Sequence, residues 1–119
     1  MDHVAAIHSY YRCFKERDRD GLVRLLTPDF RHVSPFGIFD DRDAMLDAIW
    51  PAVGKSWAVD IEVFGEPPDF MVRYRHAGEH GGTMAEYVHF EGDQIAEIEV
   101  FIGRSPAAGE SALPSARVP

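Results

Sequence analysis

The chain has 119 residues, which is enough for one domain with one hydrophobic core. Hydrophobic residues make up 45% of it, which excludes global disorder, and a formal net charge of −8 argues against nucleic acid as a partner. No apolar run approaches the roughly 18 residues of a membrane span, so we expect no membrane partner. The single cysteine, Cys13, can form no intrachain disulfide, and without a signal-peptide pattern the expected location is cytoplasmic.

The first half of the chain combines helical patterns with short strands. Apolar residues at spacings of three and four predict a helix over residues 2–16. A second, short helix is expected over "DRDGLVRLL", with Leu26 turned inward, and Pro28 disfavours helix beyond it. "DFRHVSPFG" then predicts a strand and "GIF" another, before a helix over residues 41–50 with acidic residues in its first turn.

The second half alternates apolar and polar residues with the period of β-strands. This pattern predicts four antiparallel strands, over residues 57–66, 69–77, 83–91 and 94–102. Helices followed by antiparallel strands indicate an α+β fold, with the helices on one face of a curved sheet. Residues 105–119 are mainly Ala, Pro, Ser and Gly, so we expect one domain over residues 1–104 and a flexible tail that contributes little to stability.

Alternation also turns several polar side chains towards the core. If the apolar residues of each strand and of the first helix face inward, so do Tyr10, His32, Ser34, His76 and Glu86. Isolated buried charge is costly, so such groups are paired, hydrated or functional. Each could be a hydrogen-bonded core residue, and the two histidines with Glu86 could form a facial metal triad. For Glu86, a functional and a structural explanation fit the sequence equally well.

Four segments of the chain resemble one superfamily. They are "YYRCFKERDRDGLVRLLTPDF", "HVSPFG", the helix "RDAMLDAIW" and the closing hairpin "EYVHFEGDQIAEIEVFIG". The region from residue 4 to residue 104 is similar to the nuclear transport factor 2-like superfamily, and most of all to its SnoaL-like and ketosteroid isomerase-like members. The resemblance implies a cone-shaped, curved antiparallel sheet packed with N-terminal helices. One apolar pocket of this fold hosts many chemistries.

The resemblance also implies roles for individual residues. Tyr10 corresponds to the tyrosine that donates to the oxyanion in the steroid isomerases, and Glu86 corresponds to their second donor, a protonated carboxylic acid. Ser34, just before Pro35, stands where those enzymes have their aspartate base. His32, two residues earlier on the same face, could act as the base instead. Two O–H donors in a dry site would stabilise an enolate or phenolate oxygen.

These expectations define a candidate function. The predicted catalytic residues are Tyr10, His32 and Glu86, and the predicted substrate-binding residues are Phe14, Phe30, Ser34, Trp50, Phe70, Val72, Tyr74, Val88, Val100 and Ile102. We expect a small hydrophobic carbonyl or phenolic compound to be isomerised, cyclised, dehydrated or hydrated without a metal or an organic cofactor. The alternative is a non-catalytic ligand-binding or dimerisation module. The resemblance further implies a homodimer that pairs through the outer face of the sheet.

Overall fold

The computed structural model describes residues 2–78 and 81–103, and the predicted α+β architecture is confirmed within them. The helices of these residues are α1 (His3–Glu16), α2 (Arg19–Leu25) and α3 (Arg42–Ile49), which a 3-10 turn (Trp50–Ala52) follows. The strands are β1 (Leu26–Ser34), β2 (Gly37–Phe39), β3 (Ser56–Glu66), β4 (Asp69–Gly78), β5 (Gly82–Glu91) and β6 (Gln94–Ile102). The expected tail, residues 105–119, lies outside the described residues. Over the described ranges, no helix is long and apolar enough to cross a membrane.

Each helix begins at an aspartate that caps its first turn. The carboxylates of Asp2, Asp18 and Asp41 accept backbone N–H hydrogen bonds of 2.8 to 3.0 Å. The second helix also needs a glycine, because a Cβ added at Gly21 would lie 2.7 Å from the sulfur of Cys13. Gly21 therefore allows α2 to pack closely against α1, and Cys13 is buried at that contact.

The described strands form one curved sheet in the order β2-β1-β6-β5-β4-β3. Strands β3 to β6 are antiparallel neighbours, as the alternation predicts. The first strand pairs with the last in parallel, with Arg31 opposite Glu97 and His32 opposite Ile98. Sequence reasoning did not anticipate this parallel contact, which brings the beginning and the end of the sheet together.

Strand β1 begins at Leu26 instead of Asp29, so the prediction that Leu26 lies in the second helix is wrong. Pro28 disfavours helical backbone at Thr27, and the chain is therefore extended before it reaches the proline. The N–H of Leu26 still donates to the carbonyl of Leu22 and closes the last turn of α2. The Leu26 side chain is fully buried, as expected, but it belongs to the sheet layer.

The core lies between the helices and one face of the sheet. Its largest fully buried side chains come from both layers: Ile7, Leu22, Met45 and Leu46 from helices, and Leu26, Phe30, Val72, Val88, Ile95 and Ile98 from strands. One carboxylic acid is buried with them. Glu86 on β5 is only 5% exposed, and no other charged side chain of the described residues is buried.

Candidate functional site

The carboxyl group of Glu86 is held by two tyrosines from different elements. Its Oε1 accepts a hydrogen bond of 2.7 Å from the hydroxyl of Tyr11 on α1. Its Oε2 accepts a hydrogen bond from the hydroxyl of Tyr74 on the neighbouring strand β4. Val72 is the Cα partner of Glu86 across this strand pair, so Tyr74 lies two residues further along β4 on the same face. The helix and two strands thus fix the acid together.

Burial and hydrogen bonding shift the pKa of this acid in opposite directions. Burial raises the pKa of Glu86, while the hydrogen bonds from Tyr74 and Tyr11 lower it, and the net pKa is above the ordinary value. Burial, followed by the nearby Glu86, raises the pKa values of Tyr11 and Tyr74 far above the usual range. Both tyrosines therefore keep their protons. A protonated Glu86 must donate its own proton, either to a tyrosine oxygen or to a ligand oxygen.

A cavity of about 730 Å³ opens beside Glu86. Its walls come from β1, β2, α3 and the ends of β4 to β6, and they include His32, Ser34, Phe36, Gly37, Ile38, Phe39, Ile49, Tyr74, His76, Met84, Glu86, Val100 and Ile102. Burial lowers the pKa of His32, so its imidazole is neutral near pH 7. The cavity therefore combines a neutral base and a buried acid on apolar walls.

A smaller cavity of about 240 Å³ lies on the α1 side of the same acid. Its lining comprises Tyr10, Tyr11, Phe14, Ala58, Tyr74, His76, Glu86 and the segment 52–56. Glu86, Tyr74 and His76 line both cavities. Tyr10 is 4% exposed, and the hydroxyl groups that donate to Glu86 are those of Tyr11 and Tyr74, not that of Tyr10. Burial and the neighbouring Glu86 raise the pKa of Tyr10, which therefore stays protonated.

The predicted substrate-binding residues occupy four environments. Ser34, Tyr74, Val100 and Ile102 line the larger cavity, and Phe14 lines the smaller one. Phe30, Phe70, Val72 and Val88 are at most 3% exposed and pack in the core without lining either cavity. Trp50 lines neither cavity, and the guanidinium groups of Arg17 and Arg19 lie 5.2 and 5.5 Å from its ring centroid.

The hydroxyl of Ser34 is used by the local turn. It accepts a hydrogen bond of 3.1 Å from the backbone N–H of Phe36 and lies 3.5 Å from the carbonyl of Gly37. Such bonds stabilise the turn that joins β1 to β2. Ser34 therefore shapes one edge of the larger cavity, while His32 is the titratable group on that strand that faces it.

Sequence reasoning missed the two hydrogen bonds to Glu86. It places Tyr11 on the apolar stripe of the first helix, and it predicts Tyr74 as a substrate-binding residue without connecting it to Glu86. A buried tyrosine hydroxyl usually finds a partner, so two inward tyrosines near one inward acid were a usable signal. Among residues 2–78 and 81–103, no three His, Cys, Asp or Glu side chains are grouped as metal ligands would be.

The raised pKa of Glu86 predicts a pH-dependent stability. Native Glu86 holds its proton to higher pH than the unfolded chain, whose pKa is near 4.5. The free energy of unfolding should therefore fall as the pH rises from 4.5 through the native pKa, and Glu86→Gln should abolish that fall. Urea denaturation of both proteins across this range measures the difference. Equal pH dependence in the two proteins would contradict the prediction. Glu99→Gln, on the adjacent strand and on the outer face, is the matched control.

Several solved structures are similar to this chain. A candidate ketosteroid isomerase from Kribbella flavida is 17% identical, with a TM-score of 0.77, and covers 98% of this chain and 90% of that chain. A candidate polyketide cyclase from Sinorhizobium meliloti is 16% identical, with a TM-score of 0.74, and covers 85% of this chain and 100% of that chain. TerC, co-crystallised with polyporic acid, is 17% identical, with a TM-score of 0.73, and the match covers 85% of this chain and 91% of that chain.

These likenesses show a common fold, which is the nuclear transport factor 2-like fold that the sequence predicts. No curated protein matches the chain. The family profile of the SnoaL-like domain matches residues 7–99, a range that includes both β1 and the acid on β5. By fold and by sequence, the chain belongs to the SnoaL-like family.

Proposed function

We propose that the protein is a cofactor-independent isomerase, cyclase or dehydratase that acts on a small hydrophobic carbonyl or phenolic compound in the larger cavity. One observation carries this proposal: His32, with a lowered pKa, and Glu86, with a raised pKa, line the same cavity of about 730 Å³. Two titratable groups whose surroundings move their pKa values in these directions can act as a base and an acid at one pH. The volume suits a ligand of drug size.

The chemistry follows from these protonation states. The neutral imidazole of His32 accepts a proton from the carbon next to a carbonyl group. The electron pair moves to the carbonyl oxygen, and the O–H of a protonated Glu86 donates to the resulting enolate oxygen. Tyr74 and Tyr11 orient the carboxyl group and supply further O–H dipoles. Return of the proton to another carbon isomerises the substrate, and attack of the enolate on a second carbonyl cyclises it.

The similar proteins support the same reaction class. Two of the solved structures with this fold are named as a candidate ketosteroid isomerase and a candidate polyketide cyclase. Tyr10, the oxyanion donor implied by the resemblance, lies on the other side of Glu86 and reaches the smaller cavity. In our proposal, Tyr74 takes the position next to the substrate, and Tyr10 lies close to Glu86 as a neutral wall residue of the smaller cavity.

A ligand-binding module without catalysis is the second candidate. It is favoured by Ser34, whose hydroxyl is bonded within a turn and which replaces the expected base.

The homodimer also stays a prediction. The exposed apolar side chains of Phe64, Met71 and Phe101 lie on strands β3, β4 and β6. The cytoplasmic location likewise stays a prediction.

Exchange of carbon-bound protons tests the proposal without knowledge of the substrate. A panel of hydrophobic cyclic ketones is incubated with the protein in D₂O, and deuterium uptake next to the carbonyl is followed by NMR. We expect faster uptake than in buffer for at least one ketone, a loss of roughly 100- to 1000-fold in Glu86→Ala, and substantial retention in Glu86→Gln, which keeps a donor. Glu99→Ala, on the outer face, is the matched control and should leave the rate unchanged. Ligand binding with no exchange by the wild-type protein would favour the binding module.

A further inference from the structure

Three basic side chains lie at or near the segment that lines the smaller cavity. Lys55 belongs to its lining. The ammonium of Lys15 lies 5.7 Å from the ring centroid of Trp57, which stands between lining residues Ser56 and Ala58. The aliphatic part of Arg17 lies against Gly54, another lining residue, where an added Cβ would be 3.2 Å from Cγ. We call Lys15, Arg17 and Lys55 the basic rim.

Among residues 2–78 and 81–103, no carboxylate forms an ion pair with the basic rim. Most arginines of the described residues form ion pairs, as in Arg12, Arg19, Arg31, Arg42, Arg73 and Arg75. In contrast, Lys15 and Lys55 have no described carboxylate within 4 Å, and Arg17 donates to the backbone carbonyls of Trp50 and Val53. These two lysines are the only lysines of a chain with a net charge of −8. Cationic side chains that are not ion-paired attract anions.

The interior of the smaller cavity has the opposite character. Tyr10, Phe14 and Tyr11 supply aromatic walls, and Glu86 lies at the buried end. An anionic group is costly to bury there, because it would lose its hydration and approach an acid. The volume of about 240 Å³ exceeds the roughly 150 Å³ in which an engineered apolar cavity binds benzene. The interior therefore suits a single ring, and the rim suits a negative charge.

We propose that the smaller cavity is a separate binding site for a monocyclic carboxylic acid, with the ring inside against Tyr10 and Phe14 and the carboxylate outside at the basic rim. The site shares Tyr74, His76 and Glu86 with the larger cavity in which the enzymatic reaction is proposed. Tyr10, Phe14 and the segment 52–56 line only the smaller cavity, and its occupancy does not depend on that reaction. Because the ammonium groups are exposed to solvent, they contribute to the affinity through screened attraction, which weakens as salt is added.

Calorimetric titration of two matched probes tests the charge requirement. 3-Phenylpropanoate and the neutral 3-phenylpropanamide have the same ring and chain, and we expect the acid to bind more tightly. The double variant Lys15→Gln/Lys55→Gln should lower the affinity for the acid on the order of tenfold, since each exposed ion pair changes an affinity about two- to fivefold. It should leave the affinity for the amide unchanged. Arg24→Gln is the control, because it removes an exposed positive charge on α2 that has no described carboxylate partner. It should leave the affinities for both probes unchanged. Equal binding of both probes, or an unchanged affinity of the double variant for the acid, would overturn the proposal.

A pair of cavity variants locates the bound ring. Ala58→Leu places extra volume in the smaller cavity only, and Val100→Leu does so in the larger cavity only. We expect the first to abolish binding of both probes and the second to leave it intact, with thermal unfolding showing that both variants are folded. The reverse result would place the ring in the larger cavity and reject this site. Loss of ketone exchange in the His32 variant, with acid binding retained, would separate this proposal from the enzymatic one.

Discussion

Replacing Phe30 by alanine is expected to lower the free energy of unfolding by about 3 to 5 kcal/mol, the usual cost of removing a buried phenylalanine ring. Phe30 shares a strand face with His32 and Ser34, and sequence reasoning therefore placed it in the ligand pocket. In the structure it is fully buried, packs in the core and does not line the larger cavity. The neighbouring elements cannot collapse completely into the space that the ring leaves, so the transfer cost and the cavity cost add.

His32→Ala is the internal comparison for Phe30→Ala. His32 is on the same strand face, but it is only half-buried and lines the open cavity. Its removal should therefore change the free energy of unfolding by less than about 1 kcal/mol, as is usual for side chains outside the packed core. Urea denaturation measures both values. If Phe30→Ala costs as little as His32→Ala, then Phe30 is part of the cavity wall and the packing described above is incorrect.

The replacement His32→Gln is expected to reduce ketone proton exchange by roughly 100- to 10,000-fold, the usual contribution of a positioned general base. Glutamine keeps much of the side-chain volume and hydrogen-bonding capacity, but it cannot accept a proton near neutral pH. His89→Gln is the matched control, since His89 contacts Asp69 at 2.7 Å and does not line the larger cavity. It should retain the wild-type rate. Comparable losses in both variants would remove His32 from the reaction.

The pH profile of exchange separates a base from a merely structural histidine. Burial lowers the pKa of His32, so its imidazole should still accept a proton somewhat below pH 6.5. The rate of exchange should fall only at the lower pH at which the imidazole becomes protonated. The proposal requires Glu86 to keep its proton where His32 has lost its own, and burial raises the Glu86 pKa in that direction. Exchange should therefore fall at the high-pH side, where Glu86 loses the proton that it donates. The low-pH fall should disappear in the residual activity of His32→Gln, and the high-pH fall should disappear in Glu86→Gln.

The sequence predicted local structure well because each helix and each hairpin strand carries its own periodic signal. The periodicity of α1 and α3 and the alternation of β3 to β6 are decided by neighbouring residues. The pairing of β1 with β6 is a contact between distant segments, and no short pattern encodes it. The resemblance supplied the fold class, a curved sheet packed with N-terminal helices, but not this strand pairing.

The sequence predicted which side chains of the candidate site point inward, but not how deeply each of them is buried. Alternation correctly turned both Phe30 and Glu86 inward, yet it could not tell that Phe30 is covered by the core while His32 borders a cavity. Tyr10 and Tyr11 are adjacent on one helix, and both are buried. Which of them reaches Glu86 depends on how α1 is rotated over the sheet, and this rotation is set by packing.

The parallel contact between β1 and β6 has a consequence for synthesis on the ribosome. His32 emerges early, but the strand that pairs with it at Ile98 is translated near the end of the described chain. Until then, one edge of β1 exposes unpaired backbone groups, and the cavity lacks the wall formed by Val100 and Ile102. Contacts between distant segments also slow folding, because the chain loses the entropy of closing a long loop before these contacts stabilise it. Ligand affinity should therefore be absent from nascent chains that stop before β6 and appear only once this strand has been released.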